Sequence, residues 1–422
     1  MAEWLIAPVL KTGVPQGIGG SNPSPSAKRN YGIIQLMKKI IAAAVCMAMA
    51  GASVAATVVD VNVTGRAKTS VEIGVQNQAF ARCLGKNLEL SGLFSVGPSG
   101  AVKVSGVPGA IKAEGAGKSL NCPVSFSDDR SARMVARQLS DAMVAAWSGG
   151  EQKGFALDKI IFLDCGKSRG AKTARPSELC ETYPDGYDIR RLTSDGKMTV
   201  FPRWQADGES IIYISDKGGA PQIWQMNTKA GTRSVKFSFK GTPAGVAVSP
   251  DGSKIAAILS FQGNPELYVL QGGNYTRLTN TPLASEGQPT WSPDGRQIAY
   301  VSDETRHPQI YVVDVATRQK RRLTSRGSMN FDPDWGADGR IAYITRRGAA
   351  QVAVMSPNSG DASAQLVTEQ SNWEHPSWSR DGRHLVANRD RALFLIDTLE
   401  GGDKPRRLFT ADGNWISPCW KK

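Results

Sequence analysis

The stretch PTWSPDGRQIAYVSD, residues 289–303, is the fullest copy of a repeat, because variants of it occur four more times along the chain. An apolar strand ends at Trp291, and Asp294 and Gly295 then form a tight hairpin in which glycine accepts a positive φ without cost. The other copies are PRWQADGESIIYISD at 202–216, VAVSPDGSKIAAILS at 246–260, PDWGADGRIAYITR at 333–346 and PSWSRDGRHLVANRD at 376–390. Their Asp-Gly pairs are spaced by 44, 43, 44 and 43 residues, and a constant period of this length indicates a repeat architecture.

Each repeat has room for four short strands, which is one blade of a β-propeller. Six innermost strands are predicted to end at Trp204, Val248, Trp291, Trp335, Trp378 and Trp420. The last of these strands, WISPCW at 415–420, has no strands after it. Segments 160–163, 179–183 and 187–193 supply the three missing strands. The sequence therefore predicts a mainly β protein whose six-bladed propeller, residues 151–422, is closed by its C-terminal strand.

The N-terminus is predicted to contain a targeting segment. Residues 37–56, MKKIIAAAVCMAMAGASVAA, combine two lysines, an apolar run and small residues, as a cleavable signal peptide does. Residues 1–36 precede that signal and are predicted to be a non-native or unprocessed extension, with either Met1 or Met37 as the translation start. Cleavage before Ala56 or Thr57 would lower the net charge from +13 to about +9. Export of this kind predicts a periplasmic protein that has neither a nucleic-acid partner nor a membrane span.

Residues 57–150 lack the repeat and are predicted to form a small α/β domain. Alternating apolar residues predict a strand at 58–63, and apolar stripes predict helices at 76–90 and 129–147. Ser127 and Asp128 offer an N-cap for the second helix. Residues 97–120 are rich in Gly, Ala, Ser and Val, and we expect loops and one short hairpin there.

No catalytic or metal site is predicted. Gly166, Ser168 and Gly170 match the nucleophile-elbow pattern G-x-S-x-G, but a basic loop and another blade strand follow where that motif needs a helix. The chain has only three histidines, which argues against a multi-histidine metal centre. We therefore expect a protein that is not an enzyme and needs no cofactor.

Five cysteines remain after export, so at least one must stay unpaired or pair elsewhere. Cys165 and Cys180 fall on two antiparallel strands of the closing blade, and we expect a disulfide between them. Cys83 and Cys122 are predicted to form a second disulfide. Cys419, beside a tryptophan in the innermost strand, is predicted to be a buried free thiol.

The loops that lead into the innermost strands are the predicted partner-binding site, because the Asp-Gly hairpins on the opposite face are all alike. The residues concerned are Thr242, Pro243, Glu286, Gly287, Gln288, Asn330, Phe331, Asp332, Trp373, Glu374, His375, Asn414 and Trp415. Phe331, Trp373 and Trp415 are expected to be exposed anchors. A loop at 166–179 adds four basic residues to the same face, Lys167, Arg169, Lys172 and Arg175, although a merely solvated loop is the alternative.

The ordered combination of a signal, a small α/β domain and W-S-P-D-G blades resembles the TolB family of the Tol–Pal system. TYPDGYDIRRLTS at 182–194 is similar to the family's run into the propeller, and NLELSGLFSV at 87–96 is similar to the exit of its first helix. The stretch between Phe94 and Arg130 is shorter than in the family, so the N-terminal domain is abbreviated. The resemblance implies a non-enzymatic periplasmic monomer that binds the peptidoglycan-associated lipoprotein Pal through the propeller and TolA through its mature N-terminus. Such a protein supports outer-membrane integrity and constriction during division.

Two other readings stay open at the level of sequence. The propeller could belong to a peptidase or another hydrolase, or it could be an exported module that binds carbohydrate or peptide. Family members can hold calcium in the central channel, and whether a cation binds this chain is left open.

Overall fold

A computed structural model describes residues 67–166, 176–237, 241–261, 263–399, 402, 404–409 and 413–421. The predicted extension, the signal peptide and the predicted strand at 58–63 lie outside these residues. No helix among the described residues is long and apolar enough to cross a membrane.

The N-terminal domain is a five-stranded sheet packed against two helices. Its elements are β1 (Thr69–Ile73), α1 (Gln78–Leu90), β2 (Phe94–Gly97), β3 (Val102–Val107), β4 (Ala110–Gly115), β5 (Lys118–Cys122) and α2 (Asp129–Trp147). The sheet order is β2-β1-β3-β4-β5, with β1 parallel to both of its neighbours. Asp128 caps α2 through a reciprocal pair of hydrogen bonds with Ser131, and this confirms the predicted start of the helix.

The region 97–120 contains more sheet than the predicted single hairpin. Strands β3, β4 and β5 form a three-stranded antiparallel meander across residues 102–122. Gly109 and Gly117, with φ of 87° and 74°, lie in its two turns. Buried Val104 and Ala113 alternate with exposed neighbours, so the period of two is present. The small, weakly apolar side chains of this segment concealed that period in the sequence.

The propeller has six four-stranded blades. Blade 1 comprises β29 (Trp415–Trp420), β6 (Ile160–Asp164), β7 (Glu178–Thr182) and β8 (Arg190–Arg191). Blade 2 comprises β9 (Thr199–Trp204), β10 (Ser210–Ser215), β11 (Gln222–Asn227) and β12 (Arg233–Phe237). Blade 3 comprises β13 (Thr242–Val248), β14 (Ile255–Ser260), β15 (Pro265–Gln271) and β16 (Asn274–Arg277).

The remaining three blades repeat the same antiparallel order. Blade 4 comprises β17 (Glu286–Trp291), β18 (Gln297–Ser302), β19 (Gln309–Asp314) and β20 (Lys320–Arg322). Blade 5 comprises β21 (Met329–Trp335), β22 (Ile341–Arg347), β23 (Ala349–Met355) and β24 (Gln365–Leu366), with a 3-10 turn at Gly360–Ser363. Blade 6 comprises β25 (Trp373–Trp378), β26 (His384–Arg389), β27 (Ala392–Asp397) and β28 (Arg406–Arg407).

The C-terminal strand closes the ring, as the sequence predicts. Strand β29 pairs antiparallel with β6, with Trp415 opposite Asp164 and Trp420 opposite Ile160. The two ends of the propeller chain therefore share one sheet, and each blade keeps its innermost strand at the channel. Trp420 is fully buried against the neighbouring blade 6.

The topology gives the ring two different faces. The Asp-Gly turns between first and second strands lie on one side, called here the hairpin face. The loops that lead into the innermost strands, and the loops that join second and third strands, lie on the other side, called the loop face. The N-terminal domain and the segment that follows it pack on the hairpin face, where Arg383 donates to Gln152 at 2.7 Å and Arg380 pairs with Asp158 at 3.2 Å.

Candidate functional site

The predicted partner-binding residues of the loop face are strand residues rather than loop residues. Most of them open the innermost strands β13, β17, β21, β25 and β29. Glu374 and His375 are partly exposed, whereas Phe331 and Trp415 are buried and Trp373 has no exposed surface. The expectation that these three aromatic residues are exposed anchors is therefore wrong. Lys167, Arg169, Lys172 and Arg175 lie outside the described residues.

Trp373 illustrates why the aromatic residues turn inward. Its indole Nε1 donates to the Glu369 carbonyl at 3.0 Å. Its ring packs edge-on against Phe394, with centroids 5.5 Å apart, and the Arg389 guanidinium lies 4.8 Å from its centroid. A ring held on all sides in this way contributes to the core between blades 5 and 6 and cannot reach a partner.

A bulge near the start of the innermost strands sets the shape of the channel. Gln288, Asp332, His375 and Ser417 have φ between 49° and 53°, and the strand registers shift at the same points. Left-handed backbone is uncommon for residues other than glycine and persists where the surroundings hold it. Here side chains of the preceding blade hold the backbone of Asp332, His375 and Ser417 through hydrogen bonds.

Side chains of the innermost strands link neighbouring blades. The Gln288 Oε1 atom accepts from the Asp332 backbone N–H at 2.9 Å, and the Asp332 Oδ2 atom accepts from the His375 N–H at 2.9 Å. Asp334 accepts from the Trp378 N–H at 2.7 Å. Gln288, Asp332 and His375 are therefore interblade contacts, and this structural role accounts for their polar chemistry.

The channel between these strands is narrow. Its cavity of about 20 Å³ is lined in part by Arg203, Asp332, Asp334 and His375, and it has room for about one water molecule. In the part of the chain that the structure describes, no group of three or more His, Cys, Asp or Glu side chains could hold a metal ion.

Glu286 is a buried carboxyl group on the loop side of blade 4. Its Oε1 atom lies 2.7 Å from the Thr281 hydroxyl, which is also 3.2 Å from Glu266. One hydroxyl carries one proton and cannot donate to both carboxylates. Burial raises the pKa of Glu286 to about 8, so this side chain is largely protonated at neutral pH. Burial likewise raises the pKa of Glu374 above its usual range.

Both predicted disulfides are wrong, because the five described cysteines are free thiols. Cys180 lies opposite Phe162, not opposite Cys165, and an odd offset of three residues sends the two side chains to opposite faces of the blade. Cys180 packs toward blade 6, whereas Cys165 packs toward blade 2.

The second predicted pair, Cys83 and Cys122, is also unpaired, although both side chains are buried in the core of the N-terminal domain. The Cys83 thiol on α1 lies 3.2 Å from the Asp185 carboxylate, at the junction of the two domains. Cys122 ends the edge strand β5. Cys419 is buried and free, which confirms the prediction for that residue.

The junction between the domains is a buried ionic network that the sequence analysis missed. Asp185, fully buried, accepts from the Arg137 guanidinium at 2.7 and 3.1 Å and from Asn87 at 2.9 Å. The Arg137 guanidinium also lies 3.8 Å from the centroid of the Tyr183 ring. Asp188 accepts from Arg137 at 2.9 Å and pairs with a second arginine of α2. The only signal of this network in the sequence was the pair of aspartates in the segment 183–188.

The architecture is that of a two-domain propeller protein, in which a ring of six blades carries a small α/β domain on its hairpin face. The chain belongs to the TolB beta propeller domain family, whose model matches residues 150–422.

Solved structures agree with this architecture. TolB from Acinetobacter baumannii matches with a TM-score of 0.71 at 23% identity, covering 85% of this chain and 97% of that chain. Hydrazine synthase from Kuenenia stuttgartiensis matches with a TM-score of 0.51 at 15% identity, covering 63% of this chain and 46% of that chain. At these identities the likeness concerns the fold alone. Since one of the two structures is a synthase, the architecture by itself does not separate binding from catalysis.

Proposed function

We propose that the protein is a periplasmic, non-enzymatic component of a Tol–Pal-like system. Its loop face binds a peptidoglycan-associated lipoprotein, and this contact supports outer-membrane integrity and constriction during cell division. The observation that carries the proposal is the family match over the whole propeller, residues 150–422.

The arrangement of the two domains supports the choice of face. The N-terminal domain and the segment that follows it are held at the hairpin face through Arg137, Gln152 and Asp158. A partner of protein size that approached the hairpin face near blades 1 and 6 would meet that domain. The loop face lies on the other side of the ring, away from that domain.

Two parts of the proposal rest on the family resemblance and on residues outside the structure. The signal peptide at 37–56 would deliver the chain to the periplasm. The mature N-terminus, from Ala56 or Thr57, would contact a TolA-like inner-membrane protein. Sequencing of the exported protein tests the first part, and the presence of residues 1–36 on it would contradict the signal assignment.

A direct binding assay tests the function. The purified mature chain is titrated with the soluble periplasmic domain of the peptidoglycan-associated lipoprotein from the same cells, and a panel of peptidase and glycosidase substrates is run beside it. We expect saturable one-to-one binding and no turnover. Turnover of a substrate that is lost with the folded state, together with no lipoprotein binding, would favour the hydrolase alternative.

A further inference from the structure

The loop face over blades 4 to 6 carries an arc of four exposed arginines, called here the arginine arc. Its members are Arg306, Arg326, Arg347 and Arg391. Within the described residues, none of the four guanidinium groups lies within ion-pair distance of a carboxylate. Two exposed arginines of the outermost strands differ, since Arg190 and Arg277 pair with Glu181 and Glu266.

Hydrogen bonds between consecutive loops make the arc one continuous surface. The Asn330 N–H donates to the Pro308 carbonyl at 2.8 Å, which joins the loop of Arg306 to the start of blade 5. The Ser328 N–H donates to the Arg346 carbonyl at 2.9 Å, which places the loop of Arg326 beside Arg347.

The same continuity extends to blade 6. Ala350 forms a bridge with Ser371, and the Asn372 side chain donates to Asp390 at 2.9 Å, next to Arg391. Asp390 is an exposed acid within the arc. The four arginines together with Asp390 still carry a positive net charge.

The acids beneath the arc do not neutralise it. Glu286 is buried, with its pKa raised by burial, and the Asp303 carboxylate accepts from the Ser285 N–H at 2.7 Å inside the loop. On the hairpin face, by contrast, the aspartates of four Asp-Gly turns are exposed among the basic residues: Asp207, Asp251, Asp294 and Asp338. Of the other acids near the arc, Glu304 pairs with Lys320 and Glu369 pairs with Arg389, and the Asp361 carboxylate accepts from the Arg326 N–H. Four arginines against Asp361 and Asp390 leave the loop face over blades 4 to 6 positively charged.

An apolar anchor lies at one end of the arc. Leu283 is 96% exposed at the tip of the loop that leads into β17. The hydrogen bond from Ser285 to Asp303 ties this loop to the loop of Arg306. A leucine held in solvent beside a basic arc matches the anatomy of a protein interface, with an apolar contact and a charged rim.

The geometry points to an acidic protein surface as the ligand of the arginine arc, with Leu283 inserted at its edge. This inference rests on the proposed function, because it assigns a chemistry to the partner of the loop face. Arginines at an interface rim steer an acidic partner and raise the association rate more than they slow dissociation. A buried leucine acts mainly on the dissociation rate.

The test compares two variants that lose the same charge. The arc variant carries R306Q, R326Q, R347Q and R391Q, and the control variant carries K229Q, R296Q, R318Q and R321Q at exposed positions away from the loop face. Association with the lipoprotein's periplasmic domain is measured between 25 and 300 mM NaCl. We expect the arc variant to associate about 10-fold more slowly at low salt, with a flatter salt dependence, and the control to match the wild type. Leu283→Ala should mainly speed dissociation, by roughly 10-fold.

Binding of poly-L-glutamate and of phosphatidylglycerol vesicles is measured for the wild type, the arc variant and the control variant. Poly-L-glutamate binding that is lost in the arc variant and kept in the control supports the inference even if the lipoprotein does not bind, and in that case only the proposed function falls. The inference would be overturned if association with the lipoprotein domain and with poly-L-glutamate depended on salt equally in the arc variant and in the control variant. Arc-dependent binding to the vesicles alone would overturn the assignment to a protein partner.

Discussion

Removal of the Arg137 guanidinium tests the ionic junction between the two domains. In the native state Arg137 and Asp185 are both fully buried, and Asp185 receives further hydrogen bonds from Asn87, Cys83 and the Tyr187 N–H. Burial alone would lower the pKa of Arg137, but the hydrogen bonds and negative charge of Asp185 raise it instead. The Arg137→Ala variant would leave the Asp185 charge buried without its cation.

The magnitude follows from the geometry. Breaking a buried ion pair by removing one partner costs about 3–5 kcal/mol of unfolding free energy. Loss of the contact with the Tyr183 ring, 3.8 Å from the guanidinium, adds to this cost and would place the value near the upper end. Asp185→Asn, which removes the charge from the other side, should cost a similar amount.

Urea unfolding followed by tryptophan fluorescence, together with limited proteolysis of the linker at 148–154, measures the effect. The matched control is Arg296→Ala, since Arg296 is exposed and its nitrogen lies 4.0 Å from Asp294. That control should change stability by less than about 0.5 kcal/mol. If Arg137→Ala and Asp185→Asn both behave like the control and leave the linker equally protected, the junction does not couple the domains.

The remaining predictions concern single sites. Glu286 has a folded pKa of about 8 against an ordinary value of 4.5, so the native state holds the extra proton and stability should fall as pH rises between these values, by up to about 1.4 kcal/mol per pH unit. In Glu286→Gln, urea midpoints measured from pH 5 to 8 should no longer show this fall in stability. The prediction would be refuted if the wild type and the variant had the same pH dependence. Trp373→Ala should cost about 3–5 kcal/mol, because it empties a fully buried site; a stable variant with only weakened partner binding would show instead that Trp373 is exposed. Thiol titration of the denatured, unreduced mature protein should find five free cysteines, and a count of one would restore both disulfides. In the native protein Cys165 should react slowly with iodoacetamide at pH 8, because burial raises its pKa to about 12.

The ring could be predicted from sequence because its information is local and repeated. Asp294 and Gly295 set one turn, and the same chemistry recurs at a constant spacing in five blades. The sixth blade followed from counting strands at the two ends of the chain, and the pairing of β29 with β6 confirms it. A repeat needs no knowledge of distant contacts, since each unit packs on its neighbours.

The chemistry of the loop face was harder to predict because burial depends on contacts between blades. Trp373 follows a polar segment and reads as a loop aromatic, yet the ring is enclosed by Arg389 and Phe394 of its own blade. Leu283 lies in an equally polar context and is almost fully exposed. Nothing in either local sequence distinguishes the two outcomes.

The interdomain network was beyond sequence reasoning for a related reason. Arg137 and Asp185 are 48 residues apart and belong to different domains. A stripe of charged residues on a helix ordinarily indicates a solvated face. Only the packing of α2 against the segment 183–188 shows that two of its arginines are structural.

Site-specific photo-crosslinking in living cells determines whether the loop face binds the lipoprotein. A photoreactive amino acid is placed at Leu283 on the loop face or at Arg296 on the hairpin face, and adducts are identified by mass spectrometry. The account predicts an adduct with the peptidoglycan-associated lipoprotein from position 283 and none from position 296. An adduct with that lipoprotein from position 296, with none from position 283, would contradict it.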